Sequence, residues 1–112
     1  MRSLIVGGLT ALALAFAPVA GAGVIESVDS TTDTRGTTYH VTPTVEGRGM
    51  GSSGRSYDPR PEMVEHGVPT TQTLVRQLVC HIVFAGGKPV WNLEDWRPVV
   101  SDQQMISTTC NP

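Results

Sequence analysis

"VPTTQTLVRQLVCHIVFAGG", residues 68–87, is the stretch on which the fold class turns. Leu74, Val75, Leu78 and Val79 have the spacing of an amphipathic helix, whereas Leu78, Cys80, Ile82 and Phe84 have the two-residue period of a strand. Thr70 or Thr71 offers an N-cap to a helix beginning there. The β-branched content of "LVCHIVF" favours extended chain in the second half. The overlap at Leu78 predicts a short helix over 71–77, then a buried strand over 78–85 that ends at Gly86-Gly87.

Upstream, "VIESVD" (24–29) and "TTYHVTPTV" (37–45) read as a hairpin-like pair, with "STTDTRG" (30–36) as the turn. Tyr39, Val41 and Val45 share one side of the second strand; His40, Thr42 and Thr44 share the other. Pro43 makes that strand an edge, or ends it, because proline has no N–H to donate to a ladder. Residues 46–61, "EGRGMGSSGRSYDPRP", carry no periodic apolar face and read as a flexible loop. "RPEMVEHG" makes a short helical turn stopped by Gly67. Downstream, Ser101 and Gln104 have the spacing of a capping box, which starts a last helix over 102–108 with Met105 and Ile106 facing inward. These elements predict an α+β fold: one small domain over 23–112, with a short antiparallel sheet, two or three short helices and one disulfide.

The N-terminal stretch has Arg2, an uncharged apolar run from Leu4 to Ala17, and a small-x-small site at Ala20-Gly21-Ala22. That is the layout of a secretory signal peptide over 1–22, cleaved between Ala22 and Gly23. The run is too short, and too broken by Gly7, Gly8 and Pro18, for the roughly 20 apolar residues of a membrane span. The expectation is a secreted protein, extracellular or at the cell envelope, with no stable membrane span once the leader is gone. The full chain has a formal net charge of −2, without a basic run, so an electrostatic footprint for nucleic acid or anionic lipid is missing.

Small exported domains bury little apolar surface and often rely on disulfides. Cys80 and Cys110 are the two cysteines, and an oxidising destination predicts that they pair. The loop so closed has about 30 residues, worth about 3.5 kcal/mol in the chain-entropy account. It encloses "KPVWNLEDWRPVV" (88–100), which holds both tryptophans.

Trp91 and Trp96 have two readings. As a core plug, each buried indole removes on the order of 200 Å² from water, and aromatics are scarce elsewhere in the chain. As a rigid platform bracketed by Pro89 and Pro98, Trp91, Glu94, Trp96 and Arg97 form a binding patch, since tryptophan and arginine are typical interface anchors. "GMGSSG" (49–54) matches Gly-x-Gly-x-x-Gly, but no strand precedes it and no helix opens after it, so it carries no dinucleotide reading. Of His40, His66 and His81, only His81 suggests chemistry, as a general base oriented by Glu94 or Asp95; a half-buried structural role is its plainer reading. The adjacent carboxylates Glu94-Asp95 make a weak glycosidase signal, because neighbours on a chain point apart. Neither a metal-ligand set nor a cofactor motif is present, so no cofactor is expected.

"QLVCHIVFA", "KPVWNLEDWRPVV" and the terminal "CNP", together with "HVTPTVEGR", resemble a domain-of-unknown-function family of short exported proteins from actinobacteria, mycobacteria among them. The family pattern favours proline where Asp95 stands. The resemblance implies export, a disulfide and one shared fold, and supplies no reaction. The expectation is therefore a non-catalytic interaction module with an envelope or extracellular ligand. The alternative is a small secreted hydrolase using His81 with Glu94 or Asp95.

Overall fold

The computed structural model describes residues 23–112; the expected leader 1–22, including Ala22 of the expected cleavage point, lies outside the described residues. The fold is α+β, a three-stranded antiparallel sheet with helices and one disulfide. The order of elements is β1 (Ile25–Asp33), β2 (Gly36–Pro43), α1 (Val45–Arg48), a 3-10 turn (Gly51–Ser56), α2 (Arg60–Glu65), α3 (Gln72–Phe84), β3 (Trp91–Glu94) and α4 (Asp102–Ser107).

Gln72–Phe84 form one uninterrupted helix, α3, so the strand expected over 78–85 is not there. Thr71 caps it, its hydroxyl accepting from the Leu74 N–H at 3.4 Å. Leu74, Leu78 and Ile82 repeat every fourth residue and are all fully buried against the sheet. Phe84, which the strand pattern would turn inward, is exposed. Packing of the Leu74–Leu78–Ile82 stripe overrides the β-branched bias of "LVCHIVF".

The third strand comes instead from the tryptophan stretch, where Trp91 and Leu93 are buried and Asn92 is exposed. β2 is the central strand, paired to β1 on one side and to β3 on the other, so Pro43 ends a central strand rather than forming an edge. Val41 stands opposite Trp91 and Tyr39 opposite Leu93, which places the apolar residues of both strands on the face under α3. Val45 lies beyond the strand and is exposed, against the sequence expectation.

The β1–β2 turn is tighter than "STTDTRG" suggests, because both strands run on into it and leave Thr34-Arg35 between them. Asp33 closes the turn by accepting the Arg35 N–H at 2.9 Å. Gly36 follows at φ +148°, and a Cβ there would strike the Asp95 carboxylate. The stretch 46–61, read as a loop, carries the α1 turn and the 3-10 turn. Its glycine content serves close approach at Gly54, where a Cβ would collide with Ile82 of α3.

α2 stops as its sequence requires: Gly67 takes φ +74° and the Val68 N–H reaches back to the Met63 carbonyl at 2.8 Å. α4 starts at its expected cap, with the Ser101 hydroxyl accepting the Gln104 N–H at 3.2 Å. Met105 faces inward, but Ile106 is exposed rather than inward as expected. The chain then turns through left-handed Thr109 and Cys110, which brings Cys110 to Cys80 across a Cα separation of 5.5 Å. Cys80, Cys110 and Met105 form a satellite core, separate from the main one around Trp91.

Candidate functional site

The tryptophan stretch divides into a core half and a surface half. Trp91 is fully buried, and its indole N–H donates to the Ala85 carbonyl at 2.8 Å, so its polar edge is satisfied. It is a core plug and contributes no surface to the expected patch. Trp96 lies past the end of β3, half-buried, where the β1–β2 turn and β3 meet. The Arg35 guanidinium stands 4.5 Å from its ring centroid and that of Arg97 at 5.7 Å. Arg97 is fixed in turn, its Nε donating to Glu94 Oε1 at 2.7 Å. Three of the four expected patch residues, Glu94, Trp96 and Arg97, are thus brought together. Arg35 joins them from a turn distant in sequence, which no local pattern could reveal.

Asp95 supports this corner through its backbone and side chain. Its N–H donates to the Thr37 carbonyl at 3.1 Å, and its Oδ1 accepts the Thr37 N–H at 3.0 Å. A proline at 95 would lack the first of these bonds. Asp95 therefore extends the β2–β3 pairing by one residue.

His81 is built into the core. Its exposure is 1 %, its Nδ1 donates to the Gln77 carbonyl at 2.8 Å, and its ring lies 6.3 Å from that of Trp91. Burial holds its pKa below the ordinary histidine value, with the Gln77 bond opposing. Glu94 and Asp95, its expected partners, are engaged with Arg97 and Thr37. A different histidine makes the hydroxyl–imidazole–amide chain: Thr31 Oγ1 is 3.0 Å from His40 Nε2, and His40 Nδ1 is 2.8 Å from Asn92 Oδ1. That row runs across the three strands on the face opposite α3 and is open to water.

Gln77 is the residue that sequence reasoning missed. It is fully buried, and its side-chain amide pairs with the backbone of Glu94 as another strand would: Oε1 accepts the Glu94 N–H at 2.8 Å and Nε2 donates to the Glu94 carbonyl at 2.9 Å. Nε2 also reaches Thr73 Oγ1, and Oε1 accepts from the Asn111 amide, so its hydrogen-bonding capacity is filled. Glu94 is positioned by this contact, and the Arg97–Trp96 pair through it.

A groove lies on the other side of α3, between that helix and α4, with a volume of about 240 Å³. Val75, Val79, Val83 and Phe84 line it from α3, and Met105 and Ile106 from α4. Arg55 and the Arg76–Asp102 ion pair, at 2.9 Å, also border it. The buried Arg76 Nε has no acceptor among the described residues. Among the described residues no cluster of three or more histidine, cysteine or acidic side chains is placed to hold a metal, and no helix is long and apolar enough to cross a membrane.

The chain belongs to the family described as "Protein of unknown function (DUF2599)", whose model matches residues 25–112. It is 52% identical over 40 residues to the uncharacterized protein Mb0487 of Mycobacterium bovis and to the uncharacterized protein Rv0477 of Mycobacterium tuberculosis. Each match covers 32% of this chain and 27% of the relative, so the chain spans about a quarter of the curated relatives it matches. No solved structure matches.

Proposed function

We propose that this member of the DUF2599 family is an exported, non-catalytic interaction module working at the cell envelope or outside the cell. Its contact surface is Trp96 with Arg35, Glu94 and Arg97. The observation that carries the reading is the half-buried Trp96 ring held against two guanidinium groups, one of them locked by Glu94. An aromatic ring and arginines already ordered before contact lose little side-chain entropy on binding, which is how a small surface gains affinity. Trp91 acts from beneath, as the core that holds β3 in place. Export is supported by the leader pattern of residues 1–22 and by a Cys80–Cys110 bridge that suits an oxidising compartment. The hydrolytic alternative gains no support from the contacts of His81, which are those of a core residue.

Fluorescence quenching tests the patch directly. In the oxidised protein, Trp91 is expected to emit in the blue and resist acrylamide, while Trp96 is quenched. An envelope fraction should protect Trp96, and Trp96→Ala should lower the share of protein that sediments with that fraction by at least about tenfold, the scale of a hot-spot loss. An unchanged share in Trp96→Ala would sink the patch. Export is checked by mass analysis of the culture medium, where a mature chain beginning at Gly23 with both cysteines oxidised is expected; retention of the chain in the cytoplasm would refute it.

A further inference from the structure

The groove between α3 and α4 has the polarity of a ligand site, separate from the Trp96 corner and independent of the reading given to it. We infer that it binds the monomeric anion of a medium-chain fatty acid, with the carboxylate at Arg55 and the chain along Val83, Val79 and Val75. A helix laid on a sheet needs one apolar face, and α3 has that in Leu74, Leu78 and Ile82. It carries a second, half-buried apolar stripe, Val75, Val79 and Val83, on the flank beside the first, with Val75 also packing against the main core. α4 covers this stripe only in part: Phe84 and Ile106 at its rim remain 51% and 48% exposed.

Charge decides what kind of apolar occupant fits. Arg55 stands over the Phe84 ring at 5.4 Å and has no carboxylate partner among the described residues, whereas Arg35, Arg60, Arg76 and Arg97 all have one. At the other end Asp102 neutralises Arg76. The groove therefore offers one uncompensated cation, an apolar middle and a neutral far end, in a chain whose net charge is negative. That sequence of polarities matches a single carboxylate on a single hydrocarbon chain. Size argues against a two-chain lipid or a membrane surface, because about 240 Å³ lies below the range of roughly 300–1,000 Å³ typical of sites for drug-sized molecules. From Val75 to Phe84 the helix advances about 14 Å, a length suited to a medium chain lying along it.

The test is a methyl-NMR titration of the oxidised protein with octanoate, decanoate and dodecanoate below their micelle concentrations, and with decyltrimethylammonium as the cationic control. Saturable shifts confined to the methyls of Val75, Val79, Val83, Met105 and Ile106 are expected. Affinity should rise about fourfold per added methylene until the groove is filled. Arg55→Gln, a change at an exposed side chain, should weaken decanoate at least about tenfold with no fall in melting temperature. Equal binding of decanoate and decyltrimethylammonium would overturn the assignment of the carboxylate to Arg55. Absence of saturable binding, or shifts centred away from α3 and α4, would overturn the site itself. So would a concentration-dependent dimer that buries these methyls in the ligand-free protein, because a second copy would then be the occupant.

Discussion

At the scale of single residues, Gln77 shows how one buried polar group can fix a site it does not belong to. Its amide closes two hydrogen bonds to the Glu94 backbone and one to Asn111, tying α3 to β3 and to the chain after α4. Gln77→Met would keep the volume, leave the Glu94 N–H without a partner and its carbonyl with only the Arg97 N–H at 3.3 Å, and remove an acceptor from the Asn111 amide. Each unpaired buried group costs about 1–3 kcal/mol, so a loss of about 3 kcal/mol in urea unfolding is expected, with the Arg97–Trp96 corner loosened as well. A loss under about 1 kcal/mol would show that β3 does not depend on this pairing. Nothing in the sequence marks Gln77, since a glutamine in a helix normally faces water. Trp91 is an intermediate case: core plug and binding platform were both open in the sequence, and its full burial opposite Val41 decides for the core.

At the scale of elements, the hairpin, the cap and start of α4 and the stop of α2 were legible because each rests on local chemistry, and the disulfide because two cysteines allow one intramolecular pairing. The helix–strand choice in α3 was not. Its two apolar periods coincide over Leu78 and Ile82, and only the packing partner distinguishes them. β3 escaped because four residues are too few to show a period, and its pairing with β2 is remote in sequence. The disulfide matters most to α4. That helix touches the body through the small Cys80–Met105–Cys110 cluster, and its ion pair uses Asp102, whose side chain is 84% exposed and so contributes little. Replacing both cysteines with serine should lower stability by about 3.5 kcal/mol. In hydrogen exchange measured by mass spectrometry, amides of 101–112 should then exchange well before those of α3. Simultaneous exchange of both segments would mean that α4 is part of the main cooperative unit.

At the scale of the whole molecule, one buried base and one raised phenol bound the pH range in which the fold is stable. Burial lowers the pKa of His81, so the folded chain resists a proton that the unfolded chain accepts from its ordinary value of about 6.5 downward. The unfolded state then binds more protons, and stability falls as pH drops from about 6.5 towards the folded pKa, by at most about 1.4 kcal/mol per pH unit for one group. Tyr57 acts at the other end. Burial, and then its hydroxyl's bond to the Glu62 carboxylate, raise its pKa, so the folded chain keeps a proton that the unfolded chain loses above about pH 10. Glu62 also accepts the N–H groups of Val24 and Ile25, which makes Tyr57 and the start of β1 one hydrogen-bonded unit. Urea unfolding from pH 5 to 11 should give a plateau between these limits, with stability falling on both sides. His81→Asn, which retains a donor near the Nδ1 position, should flatten the fall near pH 6 even if it lowers the plateau. Tyr57→Phe should flatten the alkaline fall and leave the acid side unchanged. An acid fall that survives His81→Asn undiminished would place its cause in another group and remove the buried imidazole from the account of stability.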